Sequence, residues 1–164
     1  MMLRGVSTET FKDDNPTSPD LAESVRTYSY DATGKLEKVA FQGAHLLTYE
    51  RYEYYANGNV SKTYSRRNND PEYLHYEYLT YDDKPTTHAA TPFLQELTLG
   101  FNSLISIHTA LDPIRSKNNC LTLKQYSEDG SFRDYSFSYT YNELGYPTQI
   151  QQGQMTTTLT LECK

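Results

Sequence analysis

Tyrosine alternates with small polar residues along much of this chain, and a glycine follows these runs at a fixed distance. Three segments carry two tyrosines two residues apart and then a glycine four residues further on: Tyr28–Gly34, Tyr52–Gly58 and Tyr139–Gly145. A looser copy, Tyr126–Gly130, keeps one tyrosine and the glycine. Alternation with a period of two puts one set of side chains on one face of a strand, and glycine accepts the positive φ of a turn. The repeated phrase therefore predicts consecutive β-hairpins.

The pattern predicts an all-β fold, an antiparallel meander of roughly nine or ten strands that forms a curled or barrel-like sheet. We assign residues 23–164 to this single β domain and residues 1–22 to a flexible or irregular arm, because Lys12–Asp20 is polar and broken by prolines. The strongest hairpin signal is Asn57 with Gly58, since both residue types tolerate the left-handed region that a tight turn demands.

The alternation stops in the middle of the chain. Tyr78–Pro85 has the tyrosines of the phrase but no glycine, and we interpret Asp82 and Asp83 as turn residues there. Beyond it, Thr91 is suited to cap a helix and Pro92 to occupy its first position. A short helical or irregular insert around 86–118 is the prediction, covering an end or edge of the sheet.

Composition supports a sheet and narrows the possible partners. The 164 residues include 16 tyrosines and no tryptophan, and the net charge is −6. An acidic chain without a basic patch argues against a nucleic-acid partner. No apolar run approaches the roughly 20 residues of a membrane-spanning helix, and the chain as given begins without a signal peptide.

Residues arranged for catalysis or metal binding are not found in the sequence. The four histidines have no metal-ligand spacing, no serine lies in a nucleophile elbow, and the glycines are dispersed among turns. We therefore predict no catalytic residue, no metal site and no cofactor. Cys120 and Cys163 are either two buried or half-buried thiols or a disulfide, and their spacing does not decide between them.

The turn phrase resembles the tyrosine-aspartate (YD, or RHS-like) repeat, of which Tyr28–Leu36 is the best copy. Over roughly residues 24–164 the chain resembles more closely a family of uncharacterised β domains, typically envelope lipoproteins of Gram-negative gut anaerobes. The matching motifs are Tyr81–Lys84 with Thr91–Phe93, Lys117–Asn119 and Tyr139–Thr148. Thr91 stands where that family usually has Asn, and the lipoprotein signal is missing from the chain as given. The resemblance implies a location in the periplasm or at the outer-membrane surface, and it implies no activity.

Three functions follow as hypotheses. The first is a non-catalytic binding or structural module of the cell envelope, with an unknown protein or glycan partner. The alternative is a carbohydrate-binding module that uses exposed tyrosines, with Tyr49, Tyr55 and Tyr64 as candidates because they lie off the main Tyr-x-Tyr alternation. An unrecognised hydrolase, with carboxylates converging across strands, is the least favoured.

Overall fold

The computed structural model describes residues 6–12, 23–43, 47–86 and 116–159, which form eleven strands. The strands are β1 (Val6–Lys12), β2 (Glu23–Tyr30), β3 (Leu36–Gln42), β4 (Leu47–Tyr54), β5 (Val60–Arg67), β6 (Tyr73–Pro85), β7 (Asn118–Tyr126), β8 (Phe132–Ser136), β9 (Ser138–Tyr141), β10 (Pro147–Gln152) and β11 (Met155–Thr158). Within these ranges, the structure contains no helix of the length and apolarity needed to cross a membrane.

The strands follow one another across two sheets in chain order. Eight form one sheet in the order β1-β2-β3-β4-β5-β6-β7-β8, and three form a second in the order β11-β10-β9. Pairing is antiparallel where the register is defined, with Val39 of β3 opposite Tyr28 of β2 and Glu50 of β4. The predicted all-β antiparallel meander is confirmed. Of the two predicted sheet shapes, a closed barrel is not found, because no pairing among the described residues joins β1 to β8.

Residues 6–12 are a strand, although the sequence predicts a flexible or irregular arm over residues 1–22. β1 pairs antiparallel with β2, from Val6 opposite Ser29 to Lys12 opposite Glu23. That prediction is wrong for β1, because its valine, threonines and phenylalanine favour an extended strand and the proline-broken stretch begins only after Lys12. The rest of the predicted arm, residues 1–5 and 13–22, lies outside the described residues.

Four hairpins have the same type of turn. In each, the glycine N–H donates to the carbonyl three residues earlier, and the glycine φ lies between 81° and 92°. This is a type I turn followed by one left-handed residue, which accounts for the fixed tyrosine-to-glycine spacing. The hairpin predicted at Asn57 and Gly58 is confirmed; Gly58 takes the positive φ of the turn, and Asn57 does not adopt one. Its side-chain Oδ1 instead accepts the N–H of Asn59 at 3.1 Å.

Asp82 and Asp83 belong to a strand and not to a turn. β6 continues without a turn to Pro85, beyond the two aspartates at which the sequence predicted that the chain would reverse. The insert predicted around 86–118 falls mostly outside the described residues, which end at Thr86 and resume at Ser116. At this gap the N–H of Thr86 donates to the carbonyl of Lys117 at 3.1 Å, so the described residues on the two sides of the gap are adjacent.

The chain divides into two compact units. Unit 1 comprises Met1–Glu53, Lys62–Tyr76 and Tyr126–Gly130, and unit 2 comprises Tyr54–Ser61, Glu77–Gln125 and Ser131–Lys164. The buried tyrosines Tyr52 and Tyr76 lie in unit 1. The other buried apolar residues among those described lie in unit 2: Val60, Tyr78, Cys120, Leu123, Phe137, Pro147 and Ile150.

Candidate functional site

Charged and aromatic side chains from neighbouring strands meet on one face of unit 1. We call them the tyrosine–arginine cluster, which consists of Lys38 of β3, Tyr49, Arg51 and Glu53 of β4, Tyr64 of β5, and Glu72 just before β6. The register puts Lys38 opposite Arg51. Tyr49, Arg51 and Glu53 share a face because side chains alternate along a strand.

Arg51 is the centre of this cluster. Its Nη2 donates to Glu72 Oε1 at 2.8 Å, its Nη1 donates to Glu53 Oε1 at 2.9 Å, and its guanidinium lies 4.0 Å from the Tyr64 ring centroid. The hydrogen bonds to Glu72 raise the pKa of Arg51, and the same bonds lower the pKa of Glu72. Glu53 and Glu72 thus hold the guanidinium against the Tyr64 ring.

The structure brings two of the three candidate tyrosines into this cluster. The Tyr49 hydroxyl donates to Glu72 Oε2 at 3.1 Å, and the Tyr64 hydroxyl donates to Glu53 Oε2 at 3.4 Å. The Lys38 Nζ lies 4.0 Å from the Tyr49 ring centroid. Each ring therefore carries a cation, an arrangement worth about 0.5–1 kcal/mol at exposed sites. A planar ligand could stack on the cation-covered face of either ring only by displacing that cation.

Tyr55, the third candidate, is not part of the cluster. It belongs to unit 2 and directly follows β4. Its hydroxyl donates to the backbone carbonyl of Tyr78 at 2.7 Å, and 40% of the residue is exposed. The hydrogen bond gives Tyr55 a structural role that its sequence position did not indicate.

Unit 2 contains a polar cluster around the Asp82 carboxylate, which we call the Asp82 cluster. Oδ1 accepts the N–H groups of Asn119 and Lys84, both at 3.0 Å, and Oδ2 accepts the Asn119 amide at 3.0 Å and the Tyr141 hydroxyl. Desolvation and this bond to Asp82 raise the pKa of Tyr141. The carboxylate thereby joins three strands, β6, β7 and β9.

Asn59 makes a second set of bonds to the start of β7. Its Oδ1 accepts the N–H groups of Lys117 and Asn118 at 2.9 and 3.0 Å, and its Nδ2 donates to Asn118 Oδ1 at 3.2 Å. Asn59, Thr86 and Asn119 are all at most 2% exposed. Since buried polar groups are costly unless they are hydrogen-bonded, these residues fix the backbone on both sides of segment 87–115.

The Asp82 cluster was not predicted from the sequence. Its residues come from three motifs that were noted only for their resemblance to envelope β domains, Tyr81–Lys84, Lys117–Asn119 and Tyr139–Thr148. One sequence feature could have indicated this cluster: Asp82 and Asn119 are polar residues at strand positions where apolar residues are expected. For Asp82, the sequence pattern was interpreted as turn chemistry.

Two further reactive groups are enclosed by their surroundings. Cys120 is a free thiol, 2% exposed, and burial raises its pKa to about 12. Of the two alternatives left open by the sequence, the structure thus has an unpaired thiol at Cys120, and Cys163 lies outside the described residues. Burial also lowers the pKa of His75, whose Nδ1 lies 3.9 Å from Glu50 Oε1. His45, His88 and His108 lie outside the described residues.

No group of three or more potential metal ligands occurs in the part of the chain that the structure describes. Comparisons with protein-family models, with curated proteins and with solved structures give no match to this chain.

Proposed function

We propose that this protein is a non-catalytic binding or structural module of the cell envelope. The observation that carries the proposal is that the central polar side chain of each of its two clusters is hydrogen-bonded to other groups of the protein. The Asp82 carboxylate accepts hydrogen bonds from three strands, and Arg51 is bound by Glu53 and Glu72. Groups held in this way position strands, whereas a general acid or base must be able to exchange a proton with a substrate.

The surroundings of Cys120 support the same proposal. A catalytic thiol has a lowered pKa and an exposed sulfur, because the thiolate is the nucleophile. Cys120 is buried and has a raised pKa, and its Sγ donates to the Thr122 carbonyl at 3.4 Å.

Turnover assays test the non-catalytic part of the proposal. Purified protein, shown to be folded by circular dichroism, is incubated with glycoside, ester, peptide and phosphate substrates. We expect no turnover above the buffer rate. Turnover that is lost in an Asp82→Asn or a Glu72→Gln variant would overturn the proposal.

The envelope location rests on the resemblance noted in the sequence and is tested separately. Antibodies against the purified protein are used on cytosolic, periplasmic and outer-membrane fractions of the source cells. We expect the signal in the periplasmic or outer-membrane fraction. Detection in the cytosolic fraction alone would contradict the envelope location, but it would not contradict the proposal that the protein is a non-catalytic module.

A carbohydrate ligand is the second candidate, favoured by the pairing of Tyr49 and Tyr64 in one cluster. The cluster presents guanidinium, ammonium, carboxylate and phenol groups on adjacent strands. Such groups are the hydrogen-bonding partners that polar ligands require. Because cations cover both rings, this surface fits a sugar held first by hydrogen bonds to its hydroxyls.

A glycan array tests this candidate with the wild-type protein and with variants in which one candidate tyrosine is replaced by alanine. We expect binding that falls at least about tenfold in Tyr49→Ala and Tyr64→Ala, equivalent to about 1.4 kcal/mol. Tyr55→Ala is the matched control, since Tyr55 lies in unit 2 and outside the cluster. An array without any binding, or equal losses in all three variants, would count against a glycan site here.

A further inference from the structure

The second sheet ends in a strand whose outer edge is open among the described residues. β11 is the terminal strand in the order β11-β10-β9, and β10 is its neighbour. Three of its four residues are exposed, including Met155 at 48%. An open strand edge presents unpaired N–H and C=O groups, which is a template for pairing with another strand.

The register shows which backbone groups face outward. Thr157 lies opposite Ile150, and the N–H of Leu159 donates to the carbonyl of Thr148 at 2.8 Å. Hydrogen-bonded and non-bonded pairs alternate along an antiparallel strand, so Met155 and Thr157 also direct their backbone groups to β10. The N–H and C=O groups of Thr156 and Thr158 therefore point toward the open edge.

Charge distinguishes this edge from two others in the fold. No charged residue occurs between Glu143 and Glu162, although the chain as a whole has a net charge of −6. In contrast, β1 carries Glu9 and Lys12, and β8 carries exposed Arg133 and Asp134. Charged residues are the usual protection of an edge strand against pairing. β11 and its neighbour β10 lack that protection, so two acidic copies that meet there bring together no charged side chain of these two strands.

We propose that β11 is a dimerisation edge at which a second copy of this chain adds its own β11, antiparallel, about a two-fold axis at Thr157. In this register Thr156 exchanges N–H and C=O bonds with Thr158 of the second copy, because both residues direct these groups outward. Thr157 then lies opposite Thr157 of the second copy, a cross-strand threonine pair of the kind that stabilises sheets. The contact is self-complementary and closes on itself as a symmetric dimer.

Sedimentation velocity tests the proposal on the full chain up to millimolar concentration. We expect the mass to rise with concentration from 18.9 kDa toward that of a dimer. Thr158→Pro removes the outward N–H of Thr158 and leaves the β10 bonds in place, since none of them uses that group. We expect this variant to raise the dimer dissociation constant about tenfold or more, because each copy loses a bond. Thr158→Val is the matched control, which keeps the N–H and should dimerise like the wild type.

A double variant, Thr156→Lys with Thr158→Lys, provides a second test if circular dichroism shows that the proline disturbs the fold. It places like charges opposite each other across the proposed contact, which is destabilising for a strand pair. A wild-type chain that stays monomeric at every concentration overturns the proposal. So does a dimer that neither the proline nor the double lysine variant weakens, because that dimer uses another surface.

Discussion

Asp82 and Asp83 are consecutive carboxylates on β6 with different surroundings. Asp82 accepts hydrogen bonds from Asn119, Lys84 and Tyr141, whereas 86% of the Asp83 side chain is exposed and its partner is Lys84 at 3.6 Å. Removing an acceptor from buried donors costs their full desolvation, while an exposed ion pair contributes little. At the scale of single residues, burial of the partners decides what a carboxylate contributes to stability.

The two aspartates give a matched pair of variants. We expect Asp82→Ala to lower the free energy of unfolding by about 2–4 kcal/mol, because it removes the acceptor of the Asn119 backbone N–H and of the Tyr141 hydroxyl. Asp83→Ala should change it by less than about 0.5 kcal/mol. Urea unfolding measures both. Equal losses in the two variants would mean that the Asp82 cluster does not hold these strands together.

Cys120 gives a prediction about chemical reactivity. The thiol is buried and its pKa is raised to about 12, so both access and thiolate formation are suppressed. In a Cys163→Ser background, which leaves Cys120 as the single cysteine, we expect labelling by an aromatic disulfide reagent at pH 8 to be at least about a hundredfold slower in folded than in unfolded protein. Rapid labelling of the folded protein would contradict the burial of this thiol.

At the scale of elements, the repeated turn explains how far the sequence predicted the fold. The glycines at 34, 58, 130 and 145 all have positive φ and mark the same turn, so hairpins could be predicted from spacing alone. β1 was missed because it does not contain the phrase, and the end of β6 because its incomplete copy of the phrase was interpreted as a turn. β1 depends on pairing with β2, and the last residues of β6 depend on hydrogen bonds from Asn119, which comes 37 residues after Asp82. Partners that distant in sequence leave no local pattern.

Gly58 and Gly34 occupy equivalent positions in two turns of the same type but have different neighbours. Alanine substitutions at the two positions therefore separate the cost of backbone strain from the cost of crowding. Their φ values are 92° and 82°, but a Cβ at Gly58 would lie 2.9 Å from the Lys117 Cε, and a Cβ at Gly34 would have no neighbour within 4 Å. We expect Gly34→Ala to cost about 1–2 kcal/mol from the left-handed backbone. Gly58→Ala should cost a few tenths to about 1 kcal/mol more.

A double-mutant cycle measures the difference by thermal or urea unfolding. In a Lys117→Ala background the crowding at Gly58 disappears, so the cost of Gly58→Ala should fall to that of Gly34→Ala. An unchanged cost in that background would show that the Lys117 side chain does not lie across this turn.

For the whole molecule, the fold was more predictable than the candidate site. Alternation and turns specify strands, but they do not specify which side chains meet across them. Tyr49, Tyr55 and Tyr64 were equivalent by sequence, yet two of them join a charged cluster and the third bonds to a backbone carbonyl. Their difference comes from their hydrogen-bond acceptors, which only the fold brings near: Glu72 for Tyr49, Glu53 for Tyr64 and the Tyr78 carbonyl for Tyr55.

The pH dependence of the free energy of unfolding should distinguish two kinds of titrating group, a buried histidine and hydrogen-bonded carboxylates. Burial lowers the pKa of His75, so the unfolded chain binds a proton more readily, and stability falls as pH decreases below the ordinary value of 6.5. The pKa of Glu72 is lowered by its bonds to Arg51, and that of Asp31 by its bonds to Thr33 and Lys35. Their stabilisation is present above the ordinary carboxylate range and is lost as pH falls through their lowered pKa values.

The free energy of unfolding should therefore decline on acidification in two stages. The first, below about pH 6.5, belongs to His75, and the second, below about pH 4.5, belongs to the carboxylates. His75→Phe keeps a ring beside Tyr73 and Tyr76 and removes the titrating group, so it should abolish the first stage and leave the second. Urea unfolding of both proteins at a series of pH values measures this. A decline between pH 6.5 and 5 that persists unchanged in His75→Phe would assign the first stage to another group, because the carboxylates release their stabilisation only at lower pH.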